Sequence, residues 1–291
     1  MNDEDRNPLI ALPIIVLVAI GIAWAGSQGG FSVSGIPIFA LGVAVAFSIQ
    51  ILGFIAAYLL RTEKFYDLTG SITYISVTIM AVVLSPVVDG RSILLMILVV
   101  IWAGRLGTFL FQRVLEAGKD SRFDEIKTSF PRFLTTWMLQ GLWVSLTLAA
   151  ALAAITTTER KPLGWFTLIG TLVWLIGFGI EVVADAQKSR FRDKEENQGD
   201  FIDTGLWAWS RHPNYFGEIT LWFGVAIIAL PILQGWQWVT LISPIFVALL
   251  ITQVSGVPIL EKKADEKWGG QEDYEEYKEN TPVLIPRPPK R

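Results

Sequence analysis

PIFALGVAVAFSIQILGFIAAYLL, residues 37–60, runs for twenty-four positions without a charged side chain. At about 1.5 Å per residue, a helix of that length crosses the ~30 Å hydrocarbon layer of a bilayer. Inside that layer each backbone polar group must be paired within the chain, which a helix achieves and a loop does not. Outward from this stretch, comparable apolar runs recur at about 9–26, 68–88, 91–111, 131–155, 163–184, 215–231 and 237–258. Hydrophobic residues make up 52% of the 291, twelve are tryptophans and the mean hydropathy is +0.47. That composition excludes an ordinary soluble domain. The sequence therefore predicts an all-α, polytopic membrane bundle of seven core helices plus one extra N-terminal helix. Residues 1–36 form the extra helix and an external turn, 37–260 the bundle, and 261–291 a polar tail.

The loop charges orient it. Numbering the loops alternately, twenty of the 24 Lys and Arg residues fall on the side of the two termini and three (Arg91, Arg160, Lys161) on the other, with Arg105 inside a span. Positive charge marks the cytoplasmic side, so both termini are expected there. Ala23-Trp24-Ala25 before Gly26 resembles a signal-peptidase site, but the preceding Asn2-Asp3-Glu4-Asp5-Arg6 is net negative where a signal peptide is positive. The chain has no cysteine, which removes disulfides, thiol catalysis and thiolate metal sites. Its single histidine leaves a histidine-based metal site without partners, and no metal is expected.

That histidine lies in Ser210-Arg211-His212-Pro213-Asn214-Tyr215-Phe216-Gly217-Glu218, at the mouth of the span 215–231. Polar groups at the edge of a membrane span are costly unless they bind something. Pro213 suits the first turn of a helix, whose free N–H groups make an anion site. Arg211 adds a fork of donors, and Asn214 and Glu218, four apart, share a helix face. An interfacial belt of Trp207, Trp209, His212 and Tyr215 is the bland alternative. At the end of the preceding span, Glu181 and Asp185 also share a face. Lys188, Arg190 and Arg192 follow, either as ligands for phosphates or as basic residues snorkelling to the interface. Arg105, amid Gly104 and Gly107, either lines a cavity or snorkels. Asp67 either caps the helix it opens or acts as an acid on a substrate carbonyl.

Gly177-Phe178-Gly179-Ile180-Glu181, Asp185, Gly205-Leu206-Trp207 and Arg211 to Glu218 together resemble the C-terminal half of the steroid 5α-reductase family. The likeness is closest to its bacterial relatives, grouped as a domain of unknown function. The tail from Leu260-Glu261-Lys262-Lys263 to Leu284-Ile285-Pro286 resembles it too. The similarity is good over about 163–286 and weaker over 38–155. It implies an NADPH-dependent membrane reductase that saturates the C=C bond of a 3-oxo-Δ4 steroid or similar enone entering from the bilayer. The resemblance assigns cofactor binding to Arg105, Asp185, Arg192, Asn214 and Glu218, and the polar residues read beside them, Glu181, Lys188, Arg211, His212 and Tyr215, complete the expected cofactor set. An acid kept neutral by burial can donate a hydrogen bond to the enone carbonyl. The nearest candidates for that polarising role are Asp67 and Tyr66, with Tyr74 nearby, while Trp102 stands about where the family has a tyrosine. The chain also departs from the family at Glu181, where the family has an asparagine, and in lacking a histidine near the tail.

Isoprenylcysteine and phospholipid methyltransferases share the Arg-His-Pro-x-Tyr signature, with S-adenosylmethionine at the same helix mouth. Glu218 directly after Gly217, and Asp185 one helix earlier, fit the reductases better. A lipid carrier is the non-enzymatic alternative; carriers show paired repeats with broken helices at mid-membrane, and no repeat is apparent. The expected partners are a lipophilic small molecule and membrane lipids, with no nucleic acid, in a bacterial inner membrane.

Overall fold

The computed structural model describes residues 3–289, apart from the side chains of residues 3–7, Leu9 and Ser121. Arg6, Lys290 and Arg291 of the loop-charge pattern thus lie outside the described side chains. Among the described residues the architecture is all-α: eleven α-helices and one two-stranded turn. Seven helices are long and apolar enough to cross a membrane. The pair Phe130–Thr147 and Ala149–Thr156, bent by 55°, makes an eighth where the two are counted as one span. The crossings coincide with the apolar runs of the sequence, and the fold class is the one expected. The chain divides into two compact units, residues 1–167 with 228–243, and residues 168–227 with 244–291.

The first unit holds α1 (Asp3–Ser27), a hairpin of β1 (Ser32–Val33) and β2 (Ile36–Pro37), α2 (Ile38–Leu60) and α3 (Tyr66–Leu84). It continues with α4 (Gly90–Ala117), α5 (Phe130–Thr147) and α6 (Ala149–Thr156). α3 packs along α4, and α5 packs against α1 and α2. Wholly buried Trp137 anchors the packing, with Tyr66 and Phe133 against it edge-on. α6, with five alanines in its eight residues, is buried along its length, since small side chains let neighbouring helices approach. The two turns that carry Arg91 and Arg160 are knitted by their guanidinium groups, which donate to carbonyls of Lys161, Pro162, Val87 and Ile155.

The second unit is built on α7 (Trp165–Arg192) from Leu168 onward and α8 (Pro213–Ala229) as far as Ile227. Glycines let these two helices touch. A Cβ on Gly177 would lie 2.6 Å from the Gly217 carbonyl oxygen, and one on Gly224 would lie 2.6 Å from that of Gly170. The last span is less regular than its hydropathy suggests. A 3₁₀ stretch (Gly235–Leu241) leads into α9 (Ile242–Leu249), and a π-helical turn (Leu250–Val254) precedes α10 (Val257–Trp268). The polar tail holds not one helix but parts of two, because the chain turns at Gly269-Gly270 between α10 and α11 (Glu272–Asn280). Gly270, at φ +82°, takes a left-handed conformation that favours glycine.

Candidate functional site

Pro213 opens α8, as its missing N–H and fixed φ favour. The residues before it are strapped by the C-terminal tail. Arg211 N–H donates to the Pro282 carbonyl (2.9 Å), Ser210 Oγ donates to that of Leu284 (2.9 Å), and Arg287 N–H donates to that of Trp209 (2.9 Å). Asn214, in the first turn of α8, donates from Nδ2 to Asp185 Oδ1 on α7 (3.1 Å). Glu181 and Asp185, only 2% and 6% exposed, stand one turn apart on α7. The structure thus joins the two acidic and amide pairs singled out in the sequence.

Glu261 on α10 closes the arrangement from the other side. Its Oε2 lies 2.7 Å from Arg211 Nη1, and its Oε1 lies 2.7 Å from His212 Nε2. Burial holds the His212 imidazole below its ordinary pKa, although Glu261 opposes this. The neutral ring then donates Nε2–H to Glu261 and leaves Nδ1 as an acceptor. His212 also lies parallel to the Tyr215 ring, 5.7 Å away. Trp207, buried, donates its indole N–H to the Ala184 carbonyl (3.0 Å) and carries the Lys188 ammonium on its face (4.3 Å). It is therefore a packing and cation-holding residue rather than part of an interfacial belt.

Four buried polar atoms lack a hydrogen-bond partner among the described residues within this short stretch: Arg211 Nε and Nη1, His212 Nδ1 and Asn214 Oδ1, of which only Nη1 is met by an ion pair, with Glu261. Such atoms are rare and costly unless a ligand or water meets them. Arg211 and His212 also line a cavity of about 540 Å³ in the second unit. Its cationic lining is Lys188, Arg192, Arg211, Lys263 and Lys267, set against Asp200 and Glu261, and Glu261 is already engaged. Tyr277 and Trp268 form part of its wall. Tyr277 donates to the Trp207 carbonyl (2.8 Å), and burial raises its hydroxyl well above the ordinary phenol range. The site offers cations for an anion, acceptors for hydroxyl or amide donors, and aromatic faces for a planar ring.

Four residues expected to bind the cofactor, Lys188, Arg192, Arg211 and His212, line this cavity. Glu181, Asp185, Asn214, Tyr215 and Glu218 belong to the same unit and not to that lining. Glu261, Lys263, Lys267 and Tyr277 are not marked as site residues by the sequence, because the rest of the cavity lining, residues 188–212, lies some fifty or more positions away. The signal available was the abrupt charged run Glu261-Lys262-Lys263 after an apolar span.

Arg105 and the carbonyl-polarising candidates belong to the first unit. The Arg105 guanidinium sits over the Phe109 ring (5.2 Å) well inside α4, which runs on to Ala117, further than the apolar run ending at 111. Asp67 does not cap α3, as one reading of the sequence had it. The helix begins at Tyr66 with Phe65 at the cap position, and Asp67 forms an ion pair with Arg122 (3.0 Å). The adjoining loop is fixed by Glu63, which accepts from the Asp120 amide (3.1 Å) and from Lys127 (2.8 Å). Tyr66 donates to the Thr136 carbonyl (3.0 Å). Trp102 is buried and meets Tyr74 edge-on at 5.1 Å.

The chain is 27% identical over 129 residues to a protein named steroid 5-alpha-reductase DET2 from Gossypium hirsutum, which supports the resemblance carried by the sequence. That match covers 44% of this chain and spans 45% of the length of that relative. No solved structure matches. The family described as "Protein of unknown function (DUF1295)" matches residues 53–281, most of the chain and both of its units, and the chain belongs to that family.

Proposed function

We propose that this chain is a membrane reductase that uses NADPH to saturate a C=C bond conjugated to a ketone in a lipophilic, 3-oxo-Δ4 steroid-like substrate. One observation carries the cofactor reading: partnerless buried atoms at Arg211, His212 and Asn214, beside a cavity with a surplus of cations. A dinucleotide brings the anionic oxygens, hydroxyl and amide donors and planar rings that this set lacks, so the residues fit the group. The name of the matched relative supports the reaction class. A single SAM molecule carries no phosphate, and the cation surplus favours the dinucleotide over the methyltransferase alternative.

In this reading Arg192, Arg211 and Lys188 hold phosphate oxygens, and His212 Nδ1 and Asn214 Oδ1 accept from ligand donors. Asp185 fixes Asn214 in the orientation that leaves Oδ1 available, since a flipped amide would set two acceptors against each other. Bound NADPH would supply the hydride that adds at the β-carbon of the enone. Polarisation of the carbonyl is assigned to the Asp67, Tyr66 and Trp102 region, and the cofactor role of Arg105 rests on the resemblance alone. The site would open to the cytoplasm of a bacterial cell, with both termini there.

The test is a thermal shift of the detergent-purified protein with NADPH, NADH and S-adenosylmethionine, since stabilisation grows with ligand over Kd. NADPH should raise the midpoint, and Asn214→Ala or Glu218→Ala should reduce that rise. A shift with S-adenosylmethionine alone would replace the reductase by a methyltransferase, and no shift with any of them would favour a carrier.

A further inference from the structure

The cavity of the second unit holds more cationic charge than a pyrophosphate requires, and two of its five cations stand together on α10. We infer that Lys263 and Lys267 form a subsite for a phosphate on the adenosine ribose, beside an aromatic wall that takes the adenine, so that the pocket selects NADPH over NADH. This inference rests on the nucleotide reading above. The two lysines stand one turn apart on α10 and both line the cavity. Among the described residues, neither has a carboxylate within ion-pairing distance, and Lys267 lies over the Trp268 ring at 4.4 Å.

The wall comprises Phe201, Trp268, Tyr274 and Tyr277. Phe201 meets the other three at ring separations of 5.3 to 5.9 Å. Each polar tip of the wall is tied down within the protein. Trp268 N–H donates to the Gly199 carbonyl (2.6 Å), Tyr274 OH to Asp265 (2.9 Å) and Tyr277 OH to the Trp207 carbonyl (2.8 Å). These tips have no need of a ligand, and what the wall offers is apolar ring surface of the kind on which bases stack. A ribose phosphate travels with its base, so a cation pair beside a base-sized aromatic wall is placed for that phosphate and not for the pyrophosphate. Arg192 and Arg211, on other segments of the lining, are left for the latter. Asp200 also lines the cavity; an acid on the ribose 2′-hydroxyl is the usual device for the unphosphorylated cofactor, and a lone carboxylate is outweighed here by the two lysines.

The experiment measures Kd by calorimetry on the full-length protein in nanodiscs, for NADPH, NADH, 2′,5′-ADP and 5′-AMP. The wild type should bind the two phosphorylated ligands about tenfold tighter than their counterparts, as expected for a charge-assisted pair of contacts. Lys263→Ala with Lys267→Ala should erase that ratio while leaving NADH and 5′-AMP unchanged, and Trp268→Ala should weaken all four. A preference for NADH, or a double variant that weakens all four ligands equally, overturns the subsite but leaves nucleotide binding standing. A wild type that binds none of the four overturns the nucleotide reading and this inference with it.

Discussion

His212 shows how much chemistry one side chain gathers when it is buried beside an acid. Below about pH 6.5 an unfolded histidine takes up a proton, whereas burial resists that proton in the folded protein. The unfolded state then binds more protons, so stability falls as the pH drops from 6.5 toward the depressed folded value. The thermal midpoint of the wild type should therefore decline more steeply between pH 7 and pH 5.5 than that of His212→Gln, measured in the same detergent; equal slopes would remove His212 as the source. Protonation of the folded protein puts a hydrogen on Nδ1 only below that window, at its depressed pKa, so NADPH affinity should hold through the window and weaken at lower pH still. At the other site, Tyr66→Phe removes the hydrogen bond to Thr136 and should cost about 1 kcal/mol of stability; turnover retained in that variant would leave the polarising role to Asp67. Asp67→Ala should abolish turnover of an enone while leaving the Kd for NADPH unchanged; retained turnover would take Asp67 out of the reaction. Arg211, His212 and Asn214 were legible in the sequence because they crowd into four positions where polarity is expensive. Glu261, which holds two of them, was not, because pairing across 49 residues leaves no local pattern.

Among the elements, α7 and α8 depend on glycine more than on hydrophobicity. A Cβ at Gly177, Gly217 or Gly224 would meet backbone atoms of the facing helix at 2.5 to 2.7 Å, contacts that side-chain motion cannot relieve. Gly179, on the same helix, has open space. Alanine at any of the first three should therefore lower stability by about 1–3 kcal/mol, while Gly179→Ala should be neutral or mildly stabilising because alanine is the better helix former. A midpoint shift as large for Gly179→Ala as for Gly217→Ala would refute this account of the seam. Because the seam also sets the Asp185–Asn214 bond, Gly217→Ala should weaken NADPH binding as well. Apolar run length was enough to locate the seven long apolar helices. It did not encode the bend at Leu148, the π-helical turn at 250–254 or the break at Gly269-Gly270. Each depends on neighbouring segments or on one backbone conformation, to which mean hydropathy is blind.

For the whole molecule, the quantity still to be measured is which way the chain faces, because the proposed chemistry needs its cofactor site in the compartment that holds NADPH. Orientation follows from the Lys and Arg of short loops, and the imbalance here, twenty against three, is large. In the alternating loop count, the segments that build the cavity, 188–212 and 260–277, are counted with the basic loops, and the loop of residues 27–36 with the sparse ones. The native absence of cysteine makes the test direct, since a single introduced thiol is the only one present. Ser32→Cys in the hairpin and Glu279→Cys in α11 replace exposed residues. In intact spheroplasts a membrane-impermeant maleimide should label Ser32→Cys and spare Glu279→Cys, and permeabilisation should expose the latter. The opposite labelling would place the cationic cavity outside, away from any NADPH, and the reductase proposal would fall even if the purified protein bound the nucleotide.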